Sequence, residues 1–369
     1  MVPILFFLPD LNGGGAQRTV INIVNHIDRK AFQPILVIGT TEGPLREALS
    51  QRVKIVDLHC NRVRGAIIPL SHQIKRWYPK ILFSGYPDAN VAMMLAKKLS
   101  GWKGQSVFRE SNNRTASKVD WGIMMRHLVK WSYRAAPRVV ALSNGVREDL
   151  IKRYGILAEK VRTIYNPVDI EAIKRMASQK IGVDKQEDTN FKGKLKIISA
   201  GRLVKQKGFD ILIKSIAKIK DQPIHLTILG EGEEKDNLIN LRDKYGLKDT
   251  ISLPGFQKNP YPWMRLSDVF VLSSRWEGFG HVIVEAMACG LPVIATKCPS
   301  GPDEIINDGM DGLLCEPESA EDLAEKIDFL VNNQKERERL SRAGLGTAER
   351  FDVKLIVKQY ESLFKELLN

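Results

Sequence analysis

Only four cysteines occur in the 369 residues, Cys60, Cys289, Cys298 and Cys315. They form no C-x-x-C pair and have no histidine at metal-ligand spacing. That excludes a disulfide scaffold and a zinc module, and is the usage expected in a reducing cytosol. His26, His59, His72, His127 and His225 are scattered without ligand or triad spacing and read as structural or surface residues. A run of about 18 apolar residues is missing as well. The nearest candidate, residues 282–295, is interrupted by Glu285, Gly290 and Pro292, so no bilayer span is expected. The opening MVPILFFLPD lacks a basic lead and a small-residue cleavage site and reads as a first strand, not an export signal. Neither glycine cluster meets the G-x-G-x-x-G spacing, because Lys235 stands where a third glycine after Gly230 and Gly232 belongs. A nicotinamide enzyme thereby loses its main support. No repeat of 20 to 50 residues is apparent.

What is present is the composition of an ordinary globular protein, 43% hydrophobic and 27% charged, with length enough for two domains. Short apolar runs alternate with amphipathic stretches, the signature of strands and helices around parallel sheets. Residues 4–8, 34–38, 53–58, 81–84, 106–109 and 138–142 read as strands of a first sheet. Residues 197–200, 225–229, 251–253, 269–272, 292–296 and 312–315 read as strands of a second. An α/β chain is thus expected with a domain over 1–176, a polar linker over 177–194 and a second domain over 195–350. A final amphipathic helix, 351–369, is expected to pack back toward the first domain. Open sheets of this kind bind ligands beyond the carboxyl ends of their strands.

Charge is unevenly spread along this frame. Residues 1–170 hold 26 Lys and Arg against 12 Asp and Glu, whereas the rest of the chain is nearly balanced. A positive face on the first domain would suit nucleic acid, anionic lipid or a phosphorylated substrate. No zinc pattern, RNP-like aromatic motif or helix-turn-helix supports a basic nucleic-acid-binding protein. If residues 118–136 are helical, Arg126, Lys130 and Arg134 fall on one stripe with Trp121, Met125 and Trp131 nearby. Such a helix either lies in a membrane interface or packs its aromatics inward.

Three clusters could carry chemistry. Asn12-Gly13-Gly14-Gly15 follows the first strand and precedes a helix, where backbone N–H groups can face an anion, or it is a flexible turn. Arg202 follows the strand ending at Gly201, and Lys207-Gly208 precedes another helix. Two such cations could neutralise a diphosphate leaving group without metal, and the sequence contains no D-x-D triplet for a divalent ion; alternatively they are surface residues of a loop. Glu277-Gly278-Phe279-Gly280, followed by His281, Val282 and then Glu285, sets two carboxylates eight positions apart around a glycine turn. Carboxylates accept the paired hydroxyls of a sugar or ribose, although a helix-start Glu has a plainer explanation as well.

Taken together, Gly201-Arg202 with Lys207-Gly208, Gly230-Glu231-Gly232, Leu253-Pro254-Gly255-Phe256, Ser267-Asp268-Val269, the run from Ser274 to Thr296 and Ser300-Gly301-Pro302-Asp303-Glu304-Ile305 closely resemble glycosyltransferase family 4. Gly13 to Arg18 and Tyr165-Asn166-Pro167-Val168-Asp169 fit the same family. The resemblance implies the GT-B fold, two Rossmann-like domains whose parallel sheets face a central cleft, residues 1–176 as the acceptor-side domain and 195–350 as the nucleotide-sugar-binding domain, and transfer with retention of anomeric configuration. It also implies site roles. Arg202 and Lys207 would form the diphosphate clamp, Glu277 would hold hydroxyls of the transferred sugar, and Glu285 would hold the ribose. Phe279, Gly280, His281 and Val282 would line sugar and phosphates; Gly230, Gly232 and Phe256 would flank the nucleobase beside Gly201; and Gly14 and Gly15 would approach the donor from the first lobe. Two positions depart from the family pattern. A histidine common near the donor sugar is replaced by Glu110 or Ser111, and the acidic residue of the glycine loop is replaced by Gln17.

The expected activity is transfer of a hexose or N-acetylhexosamine from a UDP-linked donor to a glycan acceptor, lipid-linked, in cell-surface polysaccharide or glycoconjugate assembly. No cofactor or metal is expected, and the site would be cytoplasmic and peripheral on the inner membrane face, docked through the basic domain. Competing readings are a sugar-nucleotide epimerase or phosphorylase that does not transfer, and a nucleic-acid-binding protein.

Overall fold

The architecture comes from a computed structural model that describes residues 1–117, 122–180 and 193–369. The chain forms two compact units, Met1–Val168 with Asp352–Asn369, and Asp169–Phe351. The division therefore falls at 168/169, so residues 169–176 count with the second unit, and most of the linker region lies outside the described residues.

The first unit holds seven parallel strands: β1 Val2–Leu8, β2 Phe32–Ile38, β3 Lys54–Asp57, β4 Ile81–Ser84, β5 Gln105–Glu110, β6 Arg138–Ala141 and β7 Val161–Thr163. Their order is β3-β2-β1-β4-β5-β6-β7. β1 sits at the centre because it is apolar on both faces, with Ile4, Leu5, Phe6, Phe7 and Leu8 all fully buried, as helices on both sides of a parallel sheet require. β7 is the strand that the apolar pattern does not reveal. It is three residues long, sits at the sheet edge and buries only Val161. Helix Val353–Glu366 completes this unit's core: Tyr360 and Phe364 stack against Phe83 at 5.8 and 6.1 Å.

In the second unit all six expected strands form: β8 Leu195–Ala200, β9 Ile224–Leu229, β10 Ile251–Gly255, β11 Val269–Leu272, β12 Val293–Thr296 and β13 Leu313–Cys315. The order is β10-β9-β8-β11-β12-β13, again parallel. In each sheet the chain starts in the middle, builds outward to one side and then returns to build the other. The reversal falls between β1 and β4 in the first sheet and between β8 and β11 in the second. At such a switch point the loops leaving neighbouring strands part and open a crevice at the carboxyl edge. Among the described residues no helix is long and apolar enough to cross a membrane.

Candidate functional site

The second unit's switch point gathers most of the residues singled out in the sequence. Gly201 and Arg202 leave β8, and a 3-10 turn, Lys205–Lys207, leads through Gly208 into helix Phe209–Lys218. Gly230 and Gly232 leave β9, Phe256 leaves β10, and the 273–280 loop leaves β11 into helix His281–Ala288. Adjacent loops lock through backbone bonds, Gly201 N–H to Leu229 O at 2.9 Å and Gly230 N–H to Gly255 O at 3.0 Å. Gly230 has φ +143°, and a Cβ there would lie 1.8 Å from Gly201 O, so loop packing by itself demands glycine at this position.

Lys207 and Glu277 meet across this crevice. Lys207 Nζ lies 2.5 Å from Glu277 Oε1, with side chains 17% and 8% exposed, so the pair is largely withdrawn from water. Ser274 Oγ donates to the same Oε1 at 2.7 Å, and Thr296 Oγ1 fixes Ser274 through its carbonyl at 2.5 Å. One carboxylate oxygen is thus doubly bonded, while Oε2 has no partner among the described residues and can accept from a ligand. The stem of Lys207 lies over Gly201: a Cβ added there would sit 3.5 Å from Cγ, Cδ and Cε. Beneath, Arg275 grips Asp210 through two parallel bonds of 2.7 and 2.9 Å, and also binds Lys205 O and Glu318. Burial by itself would push the Asp210 carboxyl up, but Arg275 draws it below its ordinary value. The turn carrying Lys207 is therefore held from two sides.

Arg202, by contrast, is exposed, and its side chain makes no hydrogen bond or ion pair among the described residues, so its charge is available to a ligand. Phe256 is 61% exposed, an aromatic face presented to solvent. Glu285 is buried on the helix, accepts from Tyr261 Oη at 3.1 Å and lies 3.8 Å from His281 Nε2. Gly280, with φ +88°, starts that helix in a left-handed conformation. Phe279 packs edge-on to Phe351 at 5.3 Å and is nearly fully buried, so its side chain serves the core; Val282 is partly exposed on the helix's first turn. Ser274, Thr296 and Tyr261 were not legible as site residues. They act through contacts 3, 22 and 24 positions away, and nothing in their local sequence marks them.

Gly14 and Gly15 stand in the first unit, Gly14 as N-cap of helix Gly15–His26. Of the pair standing where the family pattern has histidine, Glu110 is fully buried and spent internally. Its oxygens take the Ser111 and Asn112 N–H groups, Arg114 Nε at 3.0 Å and Tyr133 Oη at 2.8 Å. Ser111 is only partly buried. The basic aromatic stripe is described only as helix Gly122–Ala135, and residues 118–121, including Trp121, lie outside the described residues. Within it, Trp131 lies under Lys98 Nζ at 4.7 Å and Arg134 bonds Tyr154 O, whereas Ile123 and Met124 are 68% and 77% exposed. On the first turns of this helix the exposed side chains are Ile123, Met124, Arg126 and His127.

Two family models match, Glycosyltransferase Family 4 over residues 13–172 and Glycosyl transferases group 1 over residues 182–346. A lipopolysaccharide core biosynthesis glycosyltransferase, LpsE of Rhizobium meliloti, is 28% identical over 90% of this chain and 89% of its own. The Campylobacter jejuni enzyme named N-acetylgalactosamine-N,N'-diacetylbacillosaminyl-diphospho-undecaprenol 4-alpha-N-acetylgalactosaminyltransferase is 32% identical over 62% of this chain and 60% of its own. Among solved structures, HepE of Anabaena in complex with UDP-glucose superposes with a TM-score of 0.86 at 21% identity, covering 99% of this chain and 100% of that one. The two-sheet architecture is the GT-B fold.

Proposed function

Because the chain belongs to glycosyltransferase family 4, we propose that it moves a hexose or N-acetylhexosamine from a UDP-linked donor to a lipid-linked glycan acceptor, with retention and without a metal ion. The observation that carries this reading is the shielded Lys207–Glu277 pair at the switch point of the second sheet, its lysine on the same loop as Arg202, whose side chain is uncommitted. A sugar joined to a diphosphate needs both kinds of group within one crevice, cations for the phosphates and a carboxylate for the hydroxyls. The nucleotide and acceptor classes draw support from relatives: HepE is solved with UDP and UDP-glucose, and the Campylobacter enzyme's name specifies a diphospho-undecaprenol glycan.

Departure of the nucleoside diphosphate builds negative charge on the bridging phosphate oxygen and positive character on the anomeric carbon. Lys207 and Arg202 stabilise the first, and preorganised charge in a water-poor site acts most strongly where charge grows. Glu277 Oε2 holds a donor hydroxyl, and Glu285, steadied by Tyr261, holds the ribose. Retention follows if the acceptor attacks on the face the diphosphate leaves, handing its proton to the departing phosphate oxygen, so no flanking carboxylate nucleophile is needed. Ile123, Met124 and Arg126, on the basic first unit, dock the enzyme on an anionic inner membrane face, which places it in the cytoplasm beside its acceptor.

Thermal-shift screening against nucleotide sugars tests the donor, since a bound donor stabilises the native state; no response to any UDP-sugar would refute it. Transfer abolished by excess chelator would refute metal independence. Co-sedimentation with vesicles that ignores anionic lipid content would remove the docking. An isomerised sugar formed from donor alone would favour the epimerase reading.

A further inference from the structure

Lys207 and Glu277 meet across 70 positions of sequence, and the residues just before them meet as well. Gln206, partly buried, donates through its side-chain Nε2 to the Trp276 carbonyl at 2.9 Å, and its own carbonyl accepts the Arg275 N–H at 2.8 Å. The residue preceding the lysine is thereby bonded to both residues preceding the carboxylate. Further contacts run alongside. Ser273 Oγ donates to Lys207 O at 2.9 Å, Arg275 Nη1 donates to Lys205 O at 2.8 Å, and a Cβ on Gly208 would collide with Ser273 O. The Lys205–Lys207 turn and the 273–277 segment are laced together through their main chains, which fixes the spacing of the Lys207 and Glu277 backbones.

Within this lacing the Gln206 side chain has a single task. Arg275 also grips Asp210 and Glu318, whereas the Gln206 side chain has Trp276 O as its one partner among the described residues. An amide suits the position chemically. Its target is a carbonyl, which only accepts, so the side chain must donate. A glutamate would turn an acceptor on that carbonyl and set a second carboxylate beside Lys207, competing for the ammonium. A lysine would add a like charge between Lys205 and Lys207. The neutral donor ties the two loops without disturbing the charges that they carry. With both backbones tied, Lys207 can pass from Glu277 to an incoming phosphate only by turning its own side chain, and a cation held so closely loses little on meeting its ligand.

We infer that Gln206 is a positioning residue of the donor site: through the Trp276 carbonyl it fixes where Lys207 places its ammonium, and it contributes to diphosphate affinity only by way of Lys207. The inference rests on the transfer reading above, in which Lys207 meets the donor's diphosphate.

The test is a double-mutant cycle read by titration calorimetry on the full chain, with UDP, GDP and ADP as probes and the tightest of the three carried forward. Gln206→Met keeps the length of the side chain and removes its donor; it should weaken binding roughly fivefold, the scale of one neutral hydrogen bond. Lys207→Met should weaken it about tenfold or more, the scale of a charge-assisted bond. Added to Lys207→Met, the Gln206→Met change should cost less than about twofold, because the group that it positions is already gone. If Gln206→Met does not fold, Gln206→Asn, whose shorter amide falls short of the carbonyl, must give the same pattern. Unchanged affinity in the single Gln206 variant, or an equal loss in both backgrounds as a purely structural role would give, overturns this inference alone. A wild-type chain that binds none of the three diphosphates overturns the transfer reading itself.

Discussion

Replacing Lys207 with methionine keeps the stem that lies over Gly201 and removes only the charge, so it separates two consequences of the Lys207–Glu277 contact. The first is on stability. Glu277, 8% exposed, would retain Ser274 as its one side-chain donor and lose its counter-ion. Breaking a fully buried pair costs about 3–5 kcal/mol. Because the lysine is 17% exposed and the site opens to solvent, about 2 kcal/mol is the better figure. For a unit of this size that lowers Tm by about 4–8 °C. The second is on catalysis, where losing one preorganised cation costs about 100-fold or more in turnover. The double variant Lys207→Met with Glu277→Gln removes the stranded charge, so it should recover most of the lost Tm and none of the turnover. Scanning calorimetry and UDP-release kinetics on the three proteins read the two effects independently. If Lys207→Met turns over within threefold of wild type, or if turnover returns with stability in the double variant, the lysine is a packing element and the clamp is misassigned.

Tyr261→Phe removes the hydroxyl that steadies Glu285; KM for the nucleotide sugar should rise about tenfold with kcat little changed, on the scale of a hydrogen bond to a charged group, and a change in kcat alone would contradict the ribose assignment. Gly230→Ala forces a Cβ to within 1.8 Å of Gly201 O at φ +143°; stability should fall by about 3 kcal/mol or more, beyond the effect of any surface substitution, and an unchanged melting curve would mean the loops are not packed as described. Asp210, held below its ordinary pKa by Arg275, contributes stability that is complete above its unfolded value of about 3.9 and is lost as pH falls through the lower folded value. Asp210→Asn should therefore lower Tm at pH 7 and flatten its decline below about pH 4; parallel wild-type and variant Tm profiles across pH 2.5–6 would refute this.

The strands were legible because parallel sheets buried on both faces leave uninterrupted apolar runs, as in residues 4–8 and 269–272. β7 was not, since an edge strand that buries one side chain in three leaves no such run. That Lys207 and Glu277 stand at one sheet edge could be anticipated because they leave two adjacent strands, β8 and β11. Tyr261 and Ser274 could not, because their importance comes from which oxygen they reach. The replaced acidic position of the glycine loop shows the same limit. Sequence marks Gln17 as a departure from a pattern, but only packing brings Tyr86, 69 positions on, to its amide.

The first unit is assembled from both ends of the chain: Val168 bridges to Asp352, the Val353 N–H bonds Val168 O at 2.8 Å, and Phe364 then seats among Phe6, Phe32 and Phe83. During synthesis its hydrophobic interior stays open until the last helix leaves the ribosome, by which time every residue of the second unit has already emerged. At about 5–20 residues per second that is a wait of roughly ten seconds or more. The order of maturation should therefore run against the order of the sequence, the later-made half settling first and the earlier-made half waiting on its closing helix.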